Sequence, residues 1–230
     1  CDYIALSFVS SAQDIILFRK FLNEHGGKNI KIISKVERQQ ALDDLEQIIN
    51  ESDVVMVARG DLGVEIGVEK VPSIQKQIIE LCNKYIKPVI VATQMLESMI
   101  NESTATRAEV SDIANAIFDH CDAVMLSAET AVGVDPPHVI NVMSNICKES
   151  DRYLNEKKKR KNVIFKNRFI YDSTAISFCR AAEQIAEENN ADAIMAFTSS
   201  GNTPLIASKL DSSFPIIAPT DNKKVYNQTS

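Results

Sequence analysis

Residues 52–67 read Ser-Asp-Val-Val-Met-Val-Ala-Arg-Gly-Asp-Leu-Gly-Val-Glu-Ile-Gly, and this stretch decides the fold. Its residues 54–58 form an unbroken apolar run, which is typical of a strand covered on both faces in a parallel sheet. The run ends on Arg59, Gly60 and Asp61, and we interpret the glycines here as a tight turn. In α/β folds, catalytic and ligand-binding residues lie at the carboxyl ends of the strands, where this charged triplet is found. A helix cap with a surface ion pair explains the triplet equally well.

The same pattern recurs along the chain. Five short apolar runs are each followed by a turn and a stretch with the helical spacing of apolar residues. The predicted strands are residues 3–8, 30–34, 54–58, 89–92 and 123–126, and the predicted helices are roughly residues 12–25, 38–51, 70–86, 107–120 and 136–153. Thr106 and Glu109 have capping-box spacing, which predicts a helix start there. Alternating strands and helices predict a parallel sheet.

Polar residues follow each of the five predicted strands. They are Ser7; Lys35 and Glu37; Arg59, Gly60 and Asp61; Thr93 and Gln94; and Ser127 and Glu129. The carboxyl ends of parallel strands meet at one edge of a sheet, and catalytic groups collect there. We therefore expect these residues to share one pocket.

The bulk composition limits the class of protein. The chain has 230 residues, of which 45% are hydrophobic and 24% charged, as in ordinary globular proteins. The net charge of −6 argues against a nucleic acid as the main partner. Five cysteines without paired spacing predict reduced thiols and a cytoplasmic location, and no apolar stretch predicts a membrane segment. Because the chain opens without Met inside an apolar run, we expect it to be part of something longer.

The strand-end residues have the chemistry of a metal-assisted site. Glu37 and Asp61 supply two hard oxygen ligands, and Mg²⁺ commonly takes one or two carboxylates together with water and substrate oxygens. Lys35 lies two residues before Glu37, so on a continuing strand both side chains point to the same side. Its ammonium group could neutralise charge on a phosphoryl group or an enolate. Thr93 and Gln94 could bind substrate or relay a proton through water. The alternative is that Lys35, Glu37 and Asp61 form an ion-pair cluster with only a structural role.

A second α/β unit begins at about residue 172. It follows a basic stretch, residues 155–161, which we interpret as a solvated helix end or linker. Strands are predicted at residues 193–197 and 216–218, with a helix before the first and a short helix between them. The loop after the first strand contains Thr198, Ser199, Ser200, Gly201, Asn202 and Thr203. A hydroxyl-rich loop before a helix suits a phosphate, because free backbone N–H groups favour an anion there, although an ordinary cap looks the same.

Five motifs resemble pyruvate kinase in order and spacing, almost from end to end of the chain. They are Lys31-Ile-Ile-Ser-Lys-Val-Glu37, Met56-Val-Ala-Arg-Gly-Asp-Leu-Gly-Val-Glu65, Ala92-Thr-Gln-Met-Leu-Glu-Ser-Met99, Thr106-Arg-Ala-Glu-Val-Ser-Asp-Ile-Ala-Asn-Ala116 and Met125-Leu-Ser-Ala-Glu-Thr-Ala131. The resemblance implies an α/β fold, a (β/α)₈ TIM barrel of which five βα units are present. Residues 1–153 would belong to that catalytic barrel and residues 154–230 to the first part of a C-terminal α/β regulatory domain.

The resemblance also implies phosphoryl transfer from phosphoenolpyruvate to ADP, giving pyruvate and ATP in glycolysis. Lys35 would stabilise the phosphoryl-transfer transition state and the enolate, and Glu37 and Asp61 would hold Mg²⁺ or Mn²⁺. Backbone N–H groups of Gly60 and Asp61 would bind the substrate carboxylate, and Thr93 would belong to the substrate and proton-delivery region. Arg59 would orient the site rather than react.

Further partners follow from the resemblance. It implies a homotetramer, K⁺ bound by ligands that lie outside this chain, and a sugar-phosphate effector at the loop that begins with Thr198. Ser199 and Asn202 replace basic residues found in some regulated members, which weakens the effector expectation. Two other hypotheses are a non-catalytic fragment or scaffold and another Mg²⁺-dependent barrel enzyme that handles phosphoenolpyruvate or pyruvate, such as an aldolase. We expect the isolated chain to be inactive, because three barrel strands and the lid domain are missing.

Overall fold

The larger sheet consists of five parallel strands in chain order. In this computed structural model, which describes residues 1–161, 174–210 and 214–229, the strands are β1 (Tyr3–Leu6), β2 (Lys31–Val36), β3 (Val54–Ala58), β4 (Val89–Ala92) and β5 (Ala123–Met125). Every neighbouring pair is parallel. The carboxyl ends of all five strands therefore lie at the same end of the sheet. The predicted parallel sheet is confirmed.

Helices connect the strands and cover the sheet. They are α1 (Ala12–Glu24), α2 (Gln39–Asp43), α3 (Leu45–Glu51), α4 (Arg59–Ile66), α5 (Val71–Lys84), α6 (Arg107–Phe118), α7 (Ala128–Ala131) and α8 (Pro136–Lys161), with short 3₁₀ helices at Val68–Lys70 and Glu97–Ile100. Thr106 caps α6, and the Thr106–Glu109 capping box is present as predicted. The helix predicted over residues 38–51 is interrupted at Asp44, which separates α2 from α3.

The core lies between the sheet and these helices, and β3 lies at its centre. All five residues of β3 are buried, because β2 and β4 flank it and helices cover it. The largest fully buried side chains include Ile15, Ile32, Ile48, Ile78 and Ile113, which come from β2 and from the four helices α1, α3, α5 and α6. In the part of the chain that the structure describes, β1 and β5 each have one neighbouring strand. The sheet therefore has two edges.

The tight turn predicted after β3 is wrong. Helix α4 begins at Arg59 immediately after the strand, so Gly60 and Asp61 lie in its first turn. Gly60 has no positive φ; Gly67, at φ +92°, is the glycine whose conformation ends the helix. The first strand is also shorter than predicted, because Phe8 has a φ of +55° and leaves the extended conformation.

Among its described residues, the second α/β unit contains a small parallel sheet and three helices. These are α9 (Thr174–Glu188), β6 (Ile194–Met195), α10 (Asn202–Lys209), β7 (Ile216–Ile217) and α11 (Lys223–Thr229). The basic stretch at residues 155–161 forms the last residues of α8, as the helix-end interpretation predicted, and the predicted division between residues 153 and 154 also lies within this helix. That division stays a prediction.

Two helices of this unit, α10 and α11, contact residues near the amino ends of the larger sheet. Lys209, at the end of α10, donates hydrogen bonds to Asp122, just before β5, and to Asn83. In α11, the backbone oxygen of Gln228 accepts a hydrogen bond from the Tyr3 hydroxyl at 2.5 Å. Both contacts lie at the end of the sheet opposite to the polar strand ends.

Two general features complete the fold. No helix among the described residues is long and apolar enough to cross a membrane. All five cysteines carry free thiols. Burial raises the pKa of Cys82 and of Cys121 to about 12 each.

Candidate active site

Lys35 and Glu37 meet at the carboxyl end of β2. Lys35 Nζ lies 2.6 Å from Glu37 Oε1 and donates a hydrogen bond of 3.1 Å to Ser7 Oγ. The other carboxylate oxygen, Glu37 Oε2, accepts a hydrogen bond of 2.6 Å from Phe8 N. The Lys35 side chain is 25% exposed, whereas the Glu37 side chain is 0% exposed. The ammonium group is therefore held at the surface of the site by a buried carboxylate.

Glu37 Oε1 has unused bonding capacity. It is the one buried side-chain oxygen or nitrogen among the described residues without a hydrogen bond. Its contact with Lys35 Nζ, at 2.6 Å, is an ion pair. Buried polar atoms normally have a partner, so an orphaned carboxylate oxygen calls for an explanation. A hard cation such as Mg²⁺ would supply the missing partner, because carboxylate oxygens are its preferred protein ligands.

Asp61 lies in the first turn of α4 and is exposed. Backbone N–H groups in a helix's first turn have no acceptor within the helix, which favours an anion there. Among the described residues, no group of three or more His, Cys, Asp or Glu could hold a metal. The ligand pair expected from the sequence, Glu37 and Asp61, therefore stays a prediction, in which water and substrate oxygens would complete an octahedral ion.

Thr93 follows β4 in a conformation that is rare for its residue type. Its φ is +72°, and that of Gln94 is +53°, so two consecutive non-glycine residues are left-handed. Such a conformation costs about 1–3 kcal/mol per residue and persists only where surrounding contacts enforce it. The Thr93 hydroxyl accepts a hydrogen bond from Gly60 N at 2.8 Å and donates one to Ala92 O at 2.6 Å. The strained turn thus places Thr93 directly over the start of α4.

Arg59 holds one side of this turn. Its guanidinium donates to Thr93 O at 2.7 Å and to Gln94 O at 3.1 Å, and it forms an ion pair with Asp112 at 2.5 Å. Arg59 is 8% exposed, and a hydrogen bond from its Nη1 to Gln75 also helps to fix it. The planar guanidinium can bind several acceptors at fixed angles, which a Lys cannot do. The expected orienting role of Arg59 thus has a geometric basis.

Two further carboxylates hold the strand-end loops, and neither received a role from the sequence. Glu129 is 2% exposed and accepts hydrogen bonds from the backbone N–H groups of Leu96 and Ser127. Glu109 accepts from the backbone and hydroxyl groups of Ser98 and Thr106. Burial alone would raise the pKa of Glu109, but these hydrogen bonds together lower it below its usual value. The capping-box spacing was the available signal for Glu109; for Glu129 it was only its place after a strand.

Both parts of the chain match known domains. Residues 1–140 match the pyruvate kinase barrel domain, and residues 177–230 match the pyruvate kinase alpha/beta domain. This chain belongs to the pyruvate kinase family. A pyruvate kinase from Thermotoga maritima is 47% identical over 231 residues, which cover 100% of this chain and 47% of that protein. One from Clostridium acetobutylicum is 45% identical over 227 residues, which cover 97% of this chain and 47% of that protein.

A solved pyruvate kinase has the same fold. The crystal structure of a pyruvate kinase from Cryptosporidium parvum superposes with a TM-score of 0.88 at 40% identity, over 97% of this chain and 46% of that one. The predicted fold class, a partial (β/α)₈ barrel followed by part of a second α/β domain, is confirmed. The chain spans about half the length of the pyruvate kinases that it matches.

The candidate effector loop connects β6 to α10 in the second unit. The Thr198 hydroxyl accepts hydrogen bonds from Gly201 N at 2.8 Å and from Ser200 N at 3.4 Å. Gly201, at φ +84°, precedes Asn202, the first residue of α10. With the hydrogen bond from Asn202 N to Ser200 Oγ at 3.5 Å, three of the loop's backbone N–H groups are already bonded within the loop. These N–H groups would have to exchange or share their partners to bind a phosphate.

Proposed function

We propose that the longer protein containing this chain is a pyruvate kinase that transfers a phosphoryl group from phosphoenolpyruvate to ADP. The observation that carries this proposal is the orphaned Glu37 Oε1 beside the Lys35 ammonium group. That pair places a carboxylate oxygen that accepts no hydrogen bond and a fixed ammonium group together at the carboxyl end of a parallel strand, where both could act in phosphoryl transfer. Membership of the family over both units argues against the aldolase alternative.

Each residue has a proposed part in the reaction. An oxygen of ADP attacks the phosphorus, the bond to the enol oxygen breaks, and the enolate of pyruvate then takes a proton at carbon. Lys35 offsets the negative charge that develops on the transferred group and on the enolate oxygen. Glu37 and Asp61 would hold Mg²⁺ or Mn²⁺, which when bound supplies positive charge opposite the phosphoryl oxygens. A Thr hydroxyl is a poor acid, so Thr93 orients the site or a water molecule rather than supplying the proton.

The backbone of α4 is the proposed anchor of the substrate carboxylate. Gly60 and Asp61 lie in its first turn, where N–H groups and the helix dipole favour an anion. Gly60 N–H already bonds to Thr93 Oγ1, so substrate binding there exchanges or shares that partner. This arrangement would couple the position of the Thr93 hydroxyl to occupancy of the carboxylate site.

The remaining partners are proposed for the longer protein. They are a homotetrameric state, K⁺ held by residues outside this chain, a cytoplasmic location, and a sugar-phosphate effector at the loop beginning with Thr198. Binding there is expected to be weak, because Ser199 and Asn202 carry no charge and Thr198 satisfies two loop N–H groups. A sugar bisphosphate at millimolar concentration should shift the melting temperature only slightly, whereas tight and salt-sensitive activation would contradict this expectation.

A chimera tests the catalytic proposal. We define the chimera as the Thermotoga maritima pyruvate kinase in which residues 1–230 of this chain replace the aligned segment. A coupled assay with phosphoenolpyruvate and ADP is expected to show turnover by the chimera and none by the isolated chain. The isolated chain has two open sheet edges and an incomplete active-site mouth, so positioning fails. A folded chimera without turnover would favour the scaffold hypothesis for this segment.

Metal binding provides a readout that is independent of turnover. Glu37→Gln and Asp61→Asn each remove one anionic ligand at nearly constant volume, so both should weaken Mn²⁺ binding to the chimera in a calorimetric titration. Glu65→Gln is the matched control, because Glu65 is an exposed carboxylate on the same helix as Asp61. A lower melting temperature with unchanged metal affinity would assign Glu37 and Asp61 to a purely structural ion cluster.

A further inference from the structure

Glu129 is a buried carboxylate with no role in the proposed chemistry. It is 2% exposed, and no Lys, Arg or His of the described segments forms an ion pair with it. An uncompensated buried charge is costly unless hydrogen bonds replace its lost hydration. Here two backbone N–H groups do so, Ser127 N at 2.7 Å and Leu96 N at 3.2 Å.

The two donors come from loops after neighbouring strands. Ser127 follows β5, and Leu96 follows the left-handed turn at the end of β4. One carboxylate therefore joins the two loops. On the opposite side the same turn is held by Arg59, which donates to the carbonyl groups of Thr93 and Gln94. The strained turn thus lies between a buried cation on the β3 side and a buried anion on the β5 side.

We propose that Glu129 is a positioning residue for Thr93, an inference that rests on the proposed function. By fixing Leu96 N, Glu129 prevents the turn from relaxing toward ordinary φ values, and this keeps the Thr93 hydroxyl on Gly60 N. Glu129 acts through the backbone. The path runs from the carboxylate to Leu96, through the turn to Thr93 Oγ1, and from there to the first turn of α4, where the substrate carboxylate is proposed to bind.

The Glu129→Gln variant tests this path with little change in volume. An amide has one acceptor oxygen, and its nitrogen is a donor. One of the two backbone N–H groups would therefore face a donor, and the turn would lose a restraint. A merely structural role would disturb Leu96 and Ser127 alone, whereas a positioning role also disturbs Gly60, which Glu129 does not contact.

The first measurement is amide hydrogen exchange in the chimera. Glu129→Gln is expected to speed exchange at Gly60 N by about tenfold or more, because the hydrogen bond to Thr93 Oγ1 opens. Glu109→Gln is the matched control: it also removes a carboxylate that accepts loop N–H groups, but only from Ser98 and Thr106. That control should leave Gly60 unchanged. Unchanged Gly60 exchange in Glu129→Gln would overturn the proposal.

The second measurement is kcat of the chimera. Glu129→Gln should lower kcat by about 10–10²-fold, as expected for a small misplacement of the reacting groups, whereas Glu109→Gln should leave kcat within a few-fold. An inactive unsubstituted chimera would count against the proposed function; an active chimera whose kcat survives Glu129→Gln would count against the role of Glu129. If Glu129→Gln does not fold, Glu129→Asp serves instead, because its shorter side chain keeps the charge but cannot reach both donors.

Discussion

The buried ion pair between Lys209 and Asp122 is expected to hold the second α/β unit on the sheet. Residues 87 positions apart meet there, and the Lys209 ammonium also donates to Asn83 Oδ1 at 2.8 Å. The Lys209 side chain is 3% exposed, whereas that of Asp122 is 30% exposed. Asp122 Oδ2 additionally accepts a hydrogen bond from Val89 N at 2.7 Å. The Lys209 ammonium therefore depends on Asp122 for compensation of its charge, whereas Asp122 also has solvent and Val89 N as partners.

Because Lys209 is more deeply buried than Asp122, we expect the two single substitutions to lower the free energy of unfolding by different amounts. Breaking a fully buried pair costs about 3–5 kcal/mol, because it leaves an uncompensated charge. Lys209→Met leaves Asp122 with water and with Val89 N, so we expect a loss of about 2 kcal/mol in the free energy of unfolding. Asp122→Asn leaves the ammonium buried with one neutral partner, so we expect about 3 kcal/mol. In the double variant no charge remains, and its cost should be only about 2 kcal/mol.

Urea unfolding of the chain, followed by far-UV circular dichroism, measures these quantities. The single costs sum to about 5 kcal/mol, so the double-mutant cycle should give a coupling of about 3 kcal/mol. Lys84→Met, at an exposed lysine near the end of α5, is the control and should change stability by less than about 0.5 kcal/mol. Additive single costs, or a larger loss for Lys209→Met than for Asp122→Asn, would refute the reasoning.

Three other predictions follow from the site and the buried thiols. In the chimera, Lys35→Met should lower kcat by roughly 10²–10³-fold with Mn²⁺ still bound, because the ammonium acts on transition-state charge; kcat within a few-fold would contradict this. Because the pKa of Glu109 is lowered in the folded state, its contribution to the free energy of unfolding is complete above about pH 4.5 and is lost as the pH falls through the folded-state value. In Glu109→Gln, the free energy of unfolding should therefore fall less steeply as the pH is lowered below about 4.5. At about pH 8, iodoacetamide should label the exposed Cys1 and spare Cys82 and Cys121, whose pKa values are about 12; equal labelling rates would show that burial does not protect them.

The sequence by itself determined the layered architecture. Strand positions depend on local periodicity, so the five apolar runs were predictable to within a few residues. The helices were predicted less well, because α8 continues to Lys161 instead of ending at about residue 153 and α4 was not predicted. The Thr106 capping box was predictable for the same reason, since its partners are three residues apart. Lys35 and Glu37 were predictable as neighbours because alternate residues of a strand share a side. The turn after β3 was missed, because Gly60 reads as a turn residue until packing places it in a helix.

Only the tertiary structure decided which groups are bonded and which oxygen is left over. Thr93 and Gln94 carry no local signal for left-handed backbone; their turn is contacted by Arg59, 34 residues before Thr93, from a neighbouring strand end. The orphaned oxygen of Glu37 likewise appears only when Phe8 N has taken the other one. Such choices depend on distances between residues far apart in sequence, which side-chain periodicity does not encode. Local periodicity therefore predicted where the polar strand ends lie, and packing set the contacts among them.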